Sequence, residues 1–91
     1  MVALLQNHPN PFNASTVISY YLPSPAQVSL RICNLAGQEI TTLQAGHQAA
    51  GAHQIWWDGK DANGRPVPSG VYLYRLEAGT AVQTRQMTVV R

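Results

Sequence analysis

Asp58, Asp61 and Asn63 place three oxygen-bearing side chains within one short loop, and oxygen ligands at that spacing suit calcium. The loop lacks the full alternating acid run and the closing bidentate glutamate of a dedicated calcium site. Turn formation accounts for the same residues without a cation, because Asx side chains bond their own backbone. The stretch therefore reads as a turn, with no metal and no cofactor. His8, His47 and His53 show no zinc spacing. Cys33 with a histidine could in principle form a nucleophile–base pair, but no nucleophile motif surrounds it, and a strand cysteine is ordinarily a small apolar filler. Four acidic residues, two of them within one turn, leave little for a carboxylate pair. Gly46–Gly51 has no Lys-Ser/Thr after it and opens no helix, so it is not a phosphate loop. The chain reads as non-enzymatic. Trp56 remains: if Trp57 is core, alternation turns Trp56 outward, where an indole can stack on a sugar or a partner, or lie under a loop or neighbouring domain.

The elements that would position these residues are strands. Trp56–Trp57 ends one strand and leads into a polar loop with two turn dipeptides, Asp58-Gly59 and Asn63-Gly64. Pro66 and Pro68 stiffen the return leg, and Gly70 opens the best strand of the chain, Val71–Leu76. Earlier, Val2–Leu5 is a short edge strand. Gln6–Ser15 is a loop in which Phe12 serves as a plug, and Asn13-Ala14-Ser15, though it matches a glycosylation acceptor, reads as a turn. Thr16–Leu22 alternates with Ile18, Tyr20 and Leu22 on one face. Gln27–Cys33 alternates with Val28, Leu30 and Ile32 inward, and pairs as a hairpin with Gln38–Leu43. Ala45–Ala52 is a small-residue connection. His53–Trp57 and Ala81–Val90 complete about seven short strands with no helix. That spacing predicts an all-β, antiparallel Ig-like β-sandwich. The expected core is Ile18, Tyr20, Val28, Leu30, Ile32, Ile40, Ile55, Trp57, Tyr72, Tyr74, Leu76, Met87 and Val89.

Composition narrows the function further. In 91 residues, 45% are hydrophobic and only 11% charged, which suits one small β domain with a polar, uncharged surface. The net charge of +2 comes from scattered basic residues, so there is no footprint for nucleic acid or an anionic membrane. One cysteine excludes an internal disulfide. No apolar run is long enough for a membrane helix, and Met1–Leu5 lacks the basic flank of a signal peptide.

Taken in order, the short blocks resemble a known family. Leu4–Asn13 followed by Thr16–Tyr20, Val28–Ile32 with Leu35–Ile40, Gly51-Ala52-His53, Trp57-Asp58-Gly59, Asn63-Gly64, Ser69–Leu76 and Arg85–Arg91 are similar to the C-terminal sorting domains of proteins exported by the type IX secretion system. These are related to the Ig-like domain of flagellar hook-capping proteins. The resemblance covers nearly the whole chain. Cys33-Asn34 departs from it where an aromatic and an Asp are usual, as does Gln86 where a basic residue is usual.

The resemblance implies a single domain over residues 1–91, with an edge segment and loop over 1–15 and the sandwich over 16–91. It implies a tag that carries a cargo through the periplasm to the outer-membrane translocon, and from there to the cell surface or beyond in a Gram-negative bacterium. A sortase-like peptidase then removes the tag. The residues expected to be read are Gly70, Val71, Tyr72, Arg85, Met87, Val89 and Arg91, on a monomer that does not insert in the membrane. Two alternatives remain open. One is a carbohydrate-binding module of a secreted glycosidase that uses Trp56 and Tyr21; the other is a structural spacer or assembly domain.

Overall fold

The computed structural model describes all of residues 1–91. Seven strands follow one another without a helix: β1 (Ala3–Leu4), β2 (Thr16–Leu22), β3 (Ala26–Cys33), β4 (Glu39–Gln48), β5 (Gly51–Trp57), β6 (Gly70–Ala78) and β7 (Ala81–Val89). They form two antiparallel sheets, ordered β1-β2-β5 and β4-β3-β6-β7. This is the Ig-like sandwich that the strand count and alternation predict.

The core follows from parity. In β2, Ile18, Tyr20 and Leu22 point inward; in β3, Val28, Leu30 and Ile32; in β6, Tyr72, Tyr74, Leu76 and Ala78; in β7, Met87 and Val89. These faces bury one continuous cluster that also takes in Leu4, Phe12, Trp57 and Val67. Ile55 and Ile40 are only partly buried and pack at the margin of the cluster, because β5 and β4 are edge strands. β4 is longer than the sequence pattern suggests and runs on to Gln48. Its pairing with β3 carries it through Gly46, with Val28 opposite Gly46 and Ala26 opposite Gln48. Register shifts set Ile40 and Leu43 as extra residues on β4. Three apart, they could not share a face of a regular strand; the bulges let both pack against the core.

The N-terminal loop is bound to the sandwich by polar groups. The Tyr74 hydroxyl accepts a hydrogen bond from the Asn7 N–H at 2.9 Å and donates to the Leu5 carbonyl at 2.7 Å. Asn7 is itself buried and donates to Thr16 Oγ1, which in turn donates to the Pro9 carbonyl. Phe12 is a plug as expected, edge-on to Trp57 with ring centroids 5.6 Å apart.

Burial also makes this domain alkali-sensitive. It raises Tyr20, Tyr72 and Tyr74 above the ordinary tyrosine value of 10.0; Gln48, Arg91, and Asn7 with Arg85 oppose the rise at the three sites in turn. Each phenol then holds its proton longer folded than unfolded. The stabilisation is complete below about pH 10 and is lost as pH rises beyond it, because the unfolded chain binds fewer protons there. Denaturation midpoints measured between pH 7 and pH 11 should be flat with respect to these tyrosines below about 10 and fall above it, and Tyr74→Phe should flatten the fall.

Candidate functional site

The terminal strand is built into the fold from both sides. On one side it pairs with β6 from Ala78↔Ala81 to Gly70↔Val89. On the other, the N-terminal loop lies along its last turn of pleat. The Phe12 N–H donates to the Thr88 carbonyl at 3.1 Å, the Val90 N–H to the Phe12 carbonyl at 2.9 Å, and the Thr88 N–H to Asn10 Oδ1 at 2.9 Å. Phe12 and Val89 form a parallel bridge. Further back, Gln6 Nε2 donates to the Gln86 carbonyl. Gln83 treats β1 as a neighbouring strand would: its amide accepts from the Leu4 N–H and donates to the Val2 carbonyl. Arg85 Nε donates to the Leu4 carbonyl at 2.6 Å.

Arg91 lies against two loops, the N-terminal one and the one between β5 and β6. Nη1 donates to the Asn13 carbonyl at 3.2 Å, Nη2 to the Gly59 carbonyl at 2.6 Å, and Nε to the Val67 carbonyl at 2.9 Å, while its N–H donates to Ser69 Oγ at 2.8 Å. A planar guanidinium suits this because its donors are fixed in a fork, whereas an ammonium is a single point. Gly59 serves the arrangement twice. Its φ of +73° lies in the left-handed region, and a Cβ there would meet Arg91 Nη2 at 2.8 Å. Beside the chain end, Pro9, Pro11, Phe12, Asn13 and Val90 line an open hollow of about 320 Å³.

The residues singled out from sequence fall into distinct places. Tyr72, Met87 and Val89 are core, and Tyr72 also donates from its hydroxyl to the Pro68 carbonyl. Gly70 starts β6 opposite Val89, and Val71 is exposed on the outer face opposite Thr88. Arg85 reaches across to β1. Trp56 does not join them: it is 69% exposed on the outer face of the three-stranded sheet, opposite Val17 on β2. In the central loop, Asp58 Oδ1 accepts from the Lys60 N–H, and Gly64 has φ +79°. Asp61 does more than Asp58, accepting from the N–H groups of both Asn63 and Arg65. Asn13, Gly59, Val67 and Ser69 were not legible as site residues, since three of them contribute only a carbonyl.

Arg91→Ala should lower the unfolding free energy by about 1–2 kcal/mol, toward the low end for hydrogen bonds to a charged group because solvent screens this part-exposed site. Arg91→Lys should recover only part of this. Chemical denaturation of the three proteins measures it; equal stability of all three would show that the contacts contribute nothing net.

The family model of the FlgD Ig-like domain matches residues 10–82. The chain belongs to that family. The FlgD basal-body rod modification proteins of Salmonella typhimurium and Salmonella typhi are each 37% identical to it over 66 residues, 71% of this chain. The chain spans 28% of the length of these relatives. Among solved structures, FlgD from P. aeruginosa is 27% identical, with a TM-score of 0.63 over 81% of this chain and 58% of that one. Dimeric latent PorU from Porphyromonas gingivalis superposes over 99% of this chain and 9% of its own, with a TM-score of 0.78 at 20% identity. PorZ, a surface component of the type-IX secretion system of the same organism, gives 0.67 at 19% identity over 98% of this chain and 12% of its own. The two Porphyromonas likenesses show a shared fold.

Proposed function

We propose that this Ig-like domain is a C-terminal sorting tag for the type IX secretion route, read at its terminal strand. The observation that carries the reading is the closed chain end. Val90, Arg91 and the Pro9–Asn13 loop form one ordered surface, held by Met87 and Val89 in the core and by the guanidinium on three carbonyls. A receptor that binds a tag needs such an ordered surface beside the terminus. Tyr72, Met87 and Val89 act from below, by holding the strand; Val71, Arg85 and Arg91 are the members nearer solvent. The translocon and the sortase-like peptidase are the proposed partners, and the route is periplasm to cell surface or medium. No catalytic step belongs to the domain itself.

The family match favours a second reading, an assembly domain of the hook-capping kind, in which the terminus carries no signal. The two separate by extension of the chain. A reporter is fused ahead of Met1 in a host competent for type IX export, and a short polar segment is added after Arg91. Deletion of Thr88–Arg91 is less informative, because it removes Val89 from the core. The tag reading expects periplasmic retention of the extended protein while circular dichroism shows it folded. Normal surface delivery of the folded, extended protein would sink the tag reading and leave the assembly domain.

A further inference from the structure

The edges of this sandwich are unequally protected. The β1 edge is covered by Gln83 and Arg85, and the far half of β7 by Asn10 and Phe12. β5 has no such cover. On β2, Val17 and Ser19 turn their backbone groups to His8 and Leu5. Thr16, Ile18, Tyr20 and Leu22 therefore face β5, and Ala52, Gln54 and Trp56 turn their N–H and C=O groups away from the sheet. No loop or side chain of this molecule takes them up. β5 also carries no charge and no proline, the devices with which natural sheets blunt an edge. The side chains of the same residues lie on the outer face of the sheet, where Val17, Ser19 and Tyr21 of β2 are their neighbours, again without a charge.

We propose that two copies of this chain pair edge to edge through β5, antiparallel about a two-fold axis beside Gln54. The register is self-complementary. Gln54 lies opposite its own counterpart, and Trp56 lies opposite Ala52 of the second copy, a large side chain beside a small one. Each of these opposed pairs exchanges both main-chain bonds, so every outward group of Ala52, Gln54 and Trp56 gains a partner. At the two ends the small Ala49-Ala50 turn of one copy faces the start of the Asp58 loop of the other, so no like charges meet. The paired sheets continue one another, and their charge-free faces merge around two indoles. The contact is one strand edge and one row of side chains, well below the roughly 800 Å² per partner of a stable complex. Association is therefore weak, and the monomer prevails in dilute solution. The pairing does not depend on the sorting role.

Sedimentation velocity of the full chain from about 10 μM to about 1 mM, a range that brackets weak association, tests it. The average mass should climb from 9.9 kDa toward twice that value. Gln54→Lys sets like charges directly opposite across the axis, and Gln54→Glu does the same with the other sign. Gln54 is exposed, so both should fold, which circular dichroism checks. Each alone should stay monomeric throughout, and an equimolar mixture should associate at least as well as wild type. A wild type that remains at 9.9 kDa at the highest concentration overturns the proposal. So does Gln54→Lys associating as readily as wild type, or a mixture no better than its components.

Discussion

Trp57→Ala is expected to lower the unfolding free energy by about 3–5 kcal/mol, the range for truncating a large buried aromatic. Trp57 is 1% exposed and stands where three parts of the chain meet. Phe12 of the N-terminal loop lies edge-on to it, and Tyr72 of β6 lies edge-on with ring centroids 6.2 Å apart. Its indole N–H donates to the Lys60 carbonyl at 2.9 Å, so it also sets the first turn of the central loop. Alanine would leave a cavity between the sheets, strand the Lys60 carbonyl and loosen Phe12, whose backbone holds β7. Against the ordinary stability of a small domain, about 5–15 kcal/mol, this is a large fraction. Trp56→Ala is the internal control, with a cost within about 0.5 kcal/mol for a surface change. Urea denaturation of the two variants decides it. Equal costs would mean that the two faces of β5 are not distinguished as the register requires.

Tyr74→Phe should cost about 1–3 kcal/mol although it removes a single oxygen atom, because it leaves buried groups unpaired. The hydroxyl serves the Asn7 N–H and the Leu5 carbonyl at once, and Asn7 is buried. Loss of that oxygen frees the turn between β1 and the N-terminal loop. The equivalent change at Tyr72 removes only a donor to the Pro68 carbonyl, in a part-exposed setting, and should cost less. Amide hydrogen exchange gives the sharper readout. The Asn7 amide should exchange faster in Tyr74→Phe than in wild type, while amides of the β3–β6 pairing keep their order of protection. An unchanged Asn7 amide would contradict this account.

The strands were legible because their cause is local. Alternation in Thr16–Leu22 and Gln27–Cys33 assigns each side chain a face, and two adjacent tryptophans on a strand must point opposite ways, which separates Trp57 from Trp56. The reach of β4 was not legible. Ala45-Gly46 and Ala49–Ala52 have little strand propensity of their own, and it is the backbone of β3 that holds the first of these extended. Ile40 and Leu43 show the same limit, since a bulge is decided by the partner strand. At the chain end, the sequence marks Arg91 as basic and terminal but not as engaged. Its acceptors are backbone carbonyls 24, 32 and 78 residues away, and every residue has a carbonyl. The role of Gln83 is illegible for a similar reason: an amide on a strand reads as surface until a second strand lies within its reach.

The parallel bridge of Phe12 with Val89 bears on how the domain resists force. The N-terminal loop and the last strand run in the same direction there, joined by the Phe12–Thr88, Val90–Phe12 and Thr88–Asn10 bonds. Tension between the Phe12 segment and the chain end pulls two parallel segments past each other, so these bonds are strained together and not one after another. The Arg91 guanidinium, fixed to Asn13 on the same loop, adds a fourth tie along the same line. A pull applied at the Phe12 segment while the last strand is held would thus load a shear joint, whose rupture is governed by the rate of unfolding under load and not by equilibrium stability.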